Sequence, residues 1–318
     1  MDIVTCIDNK FVMPTGVMIY SVCVNNAQGA VTFHIVIDES VTLDNQRKLK
    51  EVVTPFANQL FFYKIDSTPF KKYPSLSKNK RITQATYYRL YLTETLPQSL
   101  NKVIYLDGDI IVRGSLEELW NTNLERCSIA AVNHPEFIVS DFYSRLGYPS
   151  ESGYFNAGVL LINLEKWRKT NIVERFIDFI RSHPESLLAH DQDVLNYVFK
   201  NDKIALPYKY NLMSCFLYQR LENDKFYYEG IKEAISNPTI VHFLLDKPWW
   251  VYNRHLHPYR STFFNYRNQT IWKDEPMWEN RSFYIRTRKR IATNLRHLGL
   301  LPELPSDGCE YMDLPPID

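Results

Sequence analysis

Residues 3–37 read IVTCIDNKFVMPTGVMIYSVCVNNAQGAVTFHIVI, and the fold follows from how this run divides. Between residues 11 and 37 it carries no formal charge if His34 is neutral, so a membrane span has to be weighed. Asn25-Asn26-Ala27-Gln28-Gly29 interrupts the run. Each remaining piece is too short to cross a bilayer, which takes about 20 apolar residues in a helix. The run divides instead into a short buried strand over 3–7, a helix to about residue 24 with Pro14 in its first turn, and a β-rich strand over 31–37. Further on, residues 42–57 are helical, with Leu43, Leu49, Val52, Val53 and Phe56 as the apolar positions, and 60–65 form a third strand. A β-α-β-α-β order implies a parallel sheet with right-handed crossovers, and ligands in such sheets bind beyond the carboxyl ends of the strands.

A loop rich in Pro, Ser and Lys covers 67–80, and TQATYYRLYLTET at 83–95 reads as a helix. KVIYL at 102–106 is a strand that runs into Asp107-Gly108-Asp109, followed by the apolar triplet 110–112. A short helix over 115–120 has Ser115 as its cap. Strands follow at 128–132, 157–163 and 239–243, and helices at 172–182 and 192–200. The class is therefore α/β: a mixed, mainly parallel central sheet flanked by helices, with a C-terminal helical extension. The domain division places one domain at 1–262 and a basic, aromatic extension at 263–318. No internal repeat or low-complexity tract is present.

The 318 residues suffice for a full hydrophobic core. A net charge of +1 gives no global field for nucleic acid. Aromatic residues make up 14% of the chain. Two readings are open: core filling, and flat faces with polar tips of the kind that handle sugars. The five cysteines are scattered and contain no CxxC pair, which argues against a disulfide framework or a zinc site and for free thiols in a reducing cytoplasm. The first residues lack the basic segment of a signal peptide.

Chemistry concentrates at two strand ends. Two carboxylates flanking a glycine after the strand 102–106 form a hard, oxygen-rich site for Mg²⁺ or Mn²⁺, and the glycine lets backbone approach a ligand closely. Such an ion can stabilise a departing diphosphate. His242 ends another apolar strand, and a neutral imidazole beside two carboxylates suits Mn²⁺ better than Mg²⁺. Lys247 follows as a point charge for a phosphate. None of the 10 glycines falls in a GxG spacing, which excludes a Walker NTPase, a GxGxxG dehydrogenase and a nucleotidyltransferase with a glycine-rich phosphate loop.

Taken together, MDIVTCIDN at the start, TYYRLYL at 86–92, KVIYLDGDIIVRGSLEELW at 102–120, GYFNAGVLLINLEKWR at 153–168, HDQDVLN at 190–196 and VHFLLDKPW at 241–249 resemble glycosyltransferase family 8. The likeness is strongest to its bacterial lipooligosaccharide α-galactosyltransferases. The motifs occur in family order over residues 1–249. The resemblance implies a GT-A fold and transfer of a hexose, galactose or glucose, from a UDP-sugar to a glycan with retention of anomeric configuration. It also implies a Mn²⁺ ion, with Mg²⁺ as the alternative.

Position by position, the resemblance implies that Asp8 contacts the uracil and that Arg89 lies near the diphosphate and donor sugar. Asp107, Asp109 and His242 hold the metal, with Asp107 also near the ribose. Asn156 and Ala157 line the donor-sugar pocket. Asp191 grips a sugar hydroxyl, Gln192 lies near the anomeric carbon, and Lys247 holds a phosphate. On residue type alone, Asp8 and Asn156 also read as turn residues, Arg89 as a surface ion pair, and Asp191 as the cap of the helix after it.

There are two departures from the family pattern. The histidine-to-lysine offset of six is five here, so that loop takes a different path, and Lys10 replaces a small polar residue. Gln192 is a poor nucleophile. The expectation is a front-face route in which the departing UDP oxygen accepts the acceptor's proton, with Asp191 as the alternative nucleophile. A catalytically inactive UDP-sugar-binding protein is the competing reading. Acceptor contacts are expected from loops 67–80, 134–152 and 211–230, for an acceptor that is lipid-linked or protein-linked.

Residues 281–300 hold Arg281, Arg286, Arg288, Lys289, Arg290 and Arg296 and no acid, beside Tyr284, Ile291, Leu295 and Leu298. Two readings stay open: a basic amphipathic helix that touches the inner face of the membrane, and a terminal helix packed on the domain. The expected location is cytoplasmic, peripheral to that inner face if the first holds.

Overall fold

The computed structural model describes residues 1–73, 84–221, 225–253, 255–279, 291, 310–312 and 314. The amphipathic stretch 281–300 lies outside these apart from Ile291, as does the second half of the 67–80 loop, residues 74–80.

The opening segment folds as β1 (Asp2–Ile7), α1 (Val12–Asn25), β2 (Thr32–Ile37), α2 (Leu43–Val53) and β3 (Gln59–Lys64). The Thr42 side chain caps α2 by accepting from Asn45 N–H. The helix α1 is almost wholly buried, which accounts for its lack of charge. Gln84–Tyr91 then forms a 3-10 helix that runs into α3 (Leu92–Thr95). The helix expected over 83–95 is thus present from Gln84, mostly with 3-10 pitch.

Next come β4 (Lys102–Leu106), β5 (Ile110–Val112), α4 (Glu117–Trp120) and β6 (Ile129–Asn133). They are followed by α5 (Glu136–Leu146), β7 (Phe155–Asn163), α6 (Leu164–Lys169), α7 (Ile172–Ser182) and α8 (Asp191–Phe199). The described chain continues through β8 (Lys203–Ala205), β9 (Leu212–Met213), α9 (Lys225–Ser236), β10 (Ile240–His242) and α10 (Arg260–Arg267). Two segments expected as loops carry helices: 134–152 contains α5, and α9 begins within 211–230.

The main sheet has seven strands in the order β3-β2-β1-β4-β7-β6-β8. The pairs β3–β2, β2–β1 and β1–β4 are parallel, and β7 runs antiparallel to both β4 and β6. A second sheet joins β5, β10 and β9, with β10 antiparallel to β5 and parallel to β9. Both faces of the main sheet are covered. Ile3 and Ile7 of β1 enter a core shared with α1 and α2. Val4 enters the opposite core, built from the 3-10 helix, α7 and α8. This double burial is why the strands read as continuous apolar runs rather than alternating ones. The aromatic excess is largely core: Trp167, Trp249, Tyr87, Tyr88, Tyr105, Tyr154 and Tyr259 are all fully buried.

Several described residues past 255 pack on this framework. Phe263 of α10 meets Phe243 edge to face and lies tilted against Trp249. Trp272 lies against Gly16 of α1 so closely that a Cβ there would sit 2.0 Å from the indole. His257 is 2% exposed between Phe243 and Tyr311. Its bare Nδ1 accepts the Tyr259 N–H at 3.2 Å.

Burial, reinforced by the charges of Lys247 and His242, pushes His257 down from 6.5 to about 3. A depressed histidine contributes stability that is present above the unfolded value and lost as pH falls from 6.5 toward 3. The slope is about 1.4 kcal/mol per unit. The melting temperature is therefore expected to drop between neutral pH and about pH 5, and His257→Gln to make that drop shallower, as read by scanning calorimetry. A parallel pH dependence in the two proteins would show that His257 is not a source of acid sensitivity.

Candidate active site

The carboxyl ends of β1, β2 and β4 open on the same side of the sheet, and the acidic residues that follow them line that edge. Asp8 follows β1 and accepts the Lys10 N–H at 2.9 Å, capping a 3-10 turn over Asn9–Phe11. Asp38 follows β2. It receives the Ser40 N–H and the Tyr88 hydroxyl, both at 2.8 Å.

Asp107 follows β4, and its N–H donates to Gly158 O at 2.8 Å, continuing the β4–β7 ladder past the strand end. Asp109 lies one residue before β5. In the second sheet His242 pairs with Ile110, and Phe243 N–H donates to Asp109 O at 3.0 Å. This register brings the imidazole to the carboxylates. His242 Nε2 lies 3.2 Å from Asp109 Oδ1 and 3.9 Å from Asp107 Oδ2.

One donor atom from each of Asp107, Asp109 and His242 lies within 4.8 Å of the other two. Two carboxylate oxygens and one imidazole nitrogen form a donor set for a hard or borderline divalent ion. Space for it is kept by an absent side chain. A Cβ on Gly158 would fall 2.2 Å from His242 Cε1 and 2.8 Å from Asp107 Oδ2. Gly108 is likewise closed in, with Thr15 Oγ1 2.5 Å from where its Cβ would be. The residues fit a divalent cation.

Two cations hold the surrounding charge. Arg89 is 6% exposed. Its Nη2 donates to Asp107 Oδ1 at 2.8 Å, its Nη1 to Ala157 O at 2.6 Å, and its Nε lies 2.8 Å from Asp191 Oδ2. Burial opposes its charge, but Asp107 and Asp191 override that and raise its pKa further. Lys247 donates to an Asp109 oxygen, to Phe243 O and to Leu244 O. Burial works to raise the Asp109 carboxyl, but Lys247 and His242 outweigh it and hold the group well below the usual carboxylate range. Asp107, Asp109 and Asp191 thus bring three carboxyl groups against these two side chains.

Asp191 is not the cap of α8. His190 takes that position with a φ of 54°, and Asp191 is the first helical residue. The Asp191 carboxylate is committed instead to Arg89 and to the Thr86 hydroxyl. Residues three apart eclipse in a 3-10 helix, so Thr86 and Arg89 reach Asp191 together. Burial pushes the Asp191 carboxyl up, against the pull of Arg89.

Gln192 lies next to β7, where its Oε1 accepts the Ala157 N–H at 3.0 Å and Asn156 Nδ2 at 3.1 Å. The structure thus joins nine of the ten residues singled out from the sequence into one connected cluster, with Asp8 at the neighbouring strand end. The sequence reading did not single out Asp38, Tyr154, Gly158, Asp193 or Asn211. Tyr154, Gly158 and Asp193 sit inside the quoted motifs, whereas Asn211 and Asp38 follow no motif and become visible only through their partners.

Comparisons with known proteins point the same way. The sequence profile described as "Glycosyl transferase family 8" matches residues 2–251. General stress protein A of Bacillus subtilis is 30% identical over 277 residues, covering 86% of this chain and 94% of that protein. The lipopolysaccharide 1,3-galactosyltransferase of Salmonella typhimurium is 31% identical over 278 residues, covering 84% and 77%. Among solved structures, the galactosyltransferase LgtC in complex with donor and acceptor sugar analogs superposes with a TM-score of 0.75 at 26% identity. That match covers 85% of this chain and 96% of LgtC, and the fold here is the same GT-A arrangement.

The glycine at 158 gives a direct check on the cation pocket. Gly158→Ala has to displace His242 or the Asp107 carboxylate by about 1 Å. A misplacement of that size costs on the order of 100-fold in a site of this kind. Mn²⁺ affinity, measured by titrating the free-ion electron paramagnetic resonance signal, is expected to fall by about that factor while the fold survives. Unchanged affinity would place the cation elsewhere.

Proposed function

Because the chain belongs to glycosyltransferase family 8, we propose that it moves a hexose, galactose or glucose, from a UDP-sugar to a glycan acceptor. Transfer proceeds with retention at the anomeric carbon and depends on a divalent ion, Mn²⁺ ahead of Mg²⁺. The observation that carries this reading is the joining of the Asp107–Asp109–His242 cluster to Gln192 through buried polar residues at the strand ends. Asp107, Asp109 and His242 would hold the ion, which when bound neutralises the diphosphate as it departs.

The remaining roles fall to the chain's own groups. Asp8 and the end of β1 receive the uracil, and Asn156 and Ala157 wall the donor-sugar pocket. Arg89 sits where it can face both the diphosphate and the sugar. Lys247 would hold a phosphate, a role that requires its ammonium to turn away from Asp109 and the carbonyls of Phe243 and Leu244.

Retention is best accounted for by a front-face route. Both oxygens of Asp191 are already engaged by Arg89 and Thr86, which disfavours it as a nucleophile, and the Gln192 carboxamide is a weak one. The acceptor hydroxyl instead bonds the anomeric carbon on the face that UDP leaves, and the leaving UDP oxygen takes its proton.

The test is a screen of UDP-galactose and UDP-glucose with simple glycan acceptors, reading product linkage by NMR. An α-linked donor is expected to give an α-linked product. EDTA should abolish turnover and Mn²⁺ restore it best, and Asp109→Asn should cost most of the rate. A β-linked product, or full activity in excess EDTA, would overturn the reading.

We extend the proposal to where the enzyme works, with residues 1–262 as the catalytic unit and 263–318 as an extension. No helix among the described residues is long and apolar enough to cross a membrane. The six basic residues and no acid within 281–300 support docking on the anionic inner face of a membrane at about 1 kcal/mol per charge. A lipid-linked glycan is then the first acceptor to try, in keeping with the lipopolysaccharide relative, and a protein-linked one the second. Truncation before Arg281 is expected to leave UDP-sugar hydrolysis intact and abolish salt-sensitive sedimentation with anionic vesicles. Vesicle binding that survives the truncation would reject the docking role.

A further inference from the structure

Two backbone donors fix the direction of a buried hydrogen-bond chain through the site. The Gly158 N–H donates to Asn156 Oδ1 at 2.9 Å, and the Ala157 N–H donates to Gln192 Oε1 at 3.0 Å. A backbone N–H can only donate, so neither side-chain amide can be turned over without opposing one donor to another. The remaining orientations follow. Asn156 Oδ1 also accepts from Asn211 Nδ2 at 2.9 Å, which leaves Asn211 Oδ1 as the atom facing His242 Nδ1 at 3.0 Å. An oxygen acceptor there requires that Nδ1 carry the hydrogen. Asn211 and His242 are 0% and 1% exposed, so a misdirected bond would leave buried polar atoms facing like atoms.

From the other amide the chain continues in one sense. Asn156 Nδ2 donates to Gln192 Oε1, and Gln192 Nε2 donates to the Tyr154 oxygen at 3.2 Å. The Tyr154 hydroxyl donates to Asp193 Oδ1 at 2.7 Å, and Arg145 grips both oxygens of Asp193 at 2.8 and 2.9 Å. The far end is thus also fixed, by a carboxylate that can only accept. Burial, reinforced by Asp193, pushes the Tyr154 phenol well above its ordinary value and keeps it a donor.

We propose that Asn211 and Tyr154 are positioning residues at the two ends of a one-directional relay, His242–Asn211–Asn156–Gln192–Tyr154–Asp193. Asn211 sets the His242 tautomer so that Nε2 presents its lone pair to the cation site, and Tyr154 locks the rotation of the Gln192 amide at the donor sugar. This rests on the functional reading above only for Gln192. The metal limb depends on the cation site alone, and the ring proton depends on neither. Partners of this kind behind a metal-bound histidine are worth about 10–100-fold in metal affinity or activity.

The test combines three measurements on the full chain. In ¹⁵N-histidine-labelled protein, with His242→Gln used to assign the signal, Nδ1 of His242 is expected to be protonated with or without Mg²⁺. A bare Nδ1 would overturn the relay whatever the protein's activity proves to be. Mn²⁺ titration followed by electron paramagnetic resonance should show a 10–100-fold loss for Asn211→Ala. Asn211→Asp still accepts the Nδ1 hydrogen but cannot donate to Asn156, so it should keep the parent's Mn²⁺ affinity while its turnover falls. It also serves as the variant to read if the alanine protein does not fold.

Tyr154→Phe should leave Mn²⁺ affinity and the donor KM unchanged and lower kcat by about 10-fold or more. A merely structural role predicts lower melting temperatures in all three variants with unaltered Mn²⁺ affinity and kcat, and that result would reject the proposal. If the parent turns over no UDP-sugar, the functional reading fails, while the ring proton and the Mn²⁺ titration still decide the relay.

Discussion

Arg89 is a guanidinium held at 6% exposure where four segments meet, and the site is organised by the need to pair it. A buried, unpaired charge is strongly destabilising, and removing one partner of a buried ion pair costs about 3–5 kcal/mol. Arg89 draws in Asp107 from the end of β4, Asp191 from the start of α8 and the Ala157 carbonyl from β7. It also lies 4.3 Å from the centre of the Tyr105 ring, which covers one face of its plane. One side chain thereby ties together the central strand, the antiparallel strand beside it and the helix that carries Gln192. In the 3-10 turn of Gln84–Tyr91, Thr86 and Arg89 lie three residues apart on one face and address one carboxylate together.

The sheet order explains why this point becomes the site. Up to β4 the strands are parallel, so their carboxyl ends and the residues after them, Asp8, Asp38 and Asp107, face one edge. Beyond β4 the direction reverses in β7, whose amino-terminal half, Asn156 to Gly158, lies against the carboxyl end of β4. The acidic strand-end edge and the amides of Asn156 and Gln192 therefore meet where the strand direction reverses. The small sheet of β5, β10 and β9 adds His242 from the far side.

Much of this was legible in the sequence because local and global signals agree. The β-α-β-α-β opening, the DGD after an apolar strand and His242 at a strand end carry their own chemistry. What remained hidden depends on partners distant in the chain. Nothing near Asn211 marks it as anything but a turn residue. Its meaning lies in His242, 31 residues on, and in Asn156, 55 residues back. Gly158 reads as an ordinary strand glycine until the imidazole is placed 2.2 Å from its missing Cβ. Asp191 was open to reading as a helix cap because residue type and position allow it. A buried arginine nearby, invisible in one dimension, claims the carboxylate instead. The stretch 83–95 reads as a helix without revealing its pitch, because tyrosines and leucines at close spacing satisfy either one.

The segment 134–152 shows how a loop expectation fails for a physical reason. It is polar and carries turn residues, and as a free loop it would have offered only variable contacts to an acceptor. Instead α5 forms within it, and Arg145 near the end of that helix reaches Asp193, which is fully buried behind Gln192. Asp193 is 0% exposed, and a charge buried that deeply is costly unless it is paired. Its other contacts, the Tyr154 hydroxyl and the Ala189 N–H, are neutral donors that leave its charge uncompensated. The charge balance of the buried carboxylate therefore dictates that this segment be ordered. The helix α5 is thus anchored, through Arg145, Asp193 and Tyr154, to the same network that holds Gln192.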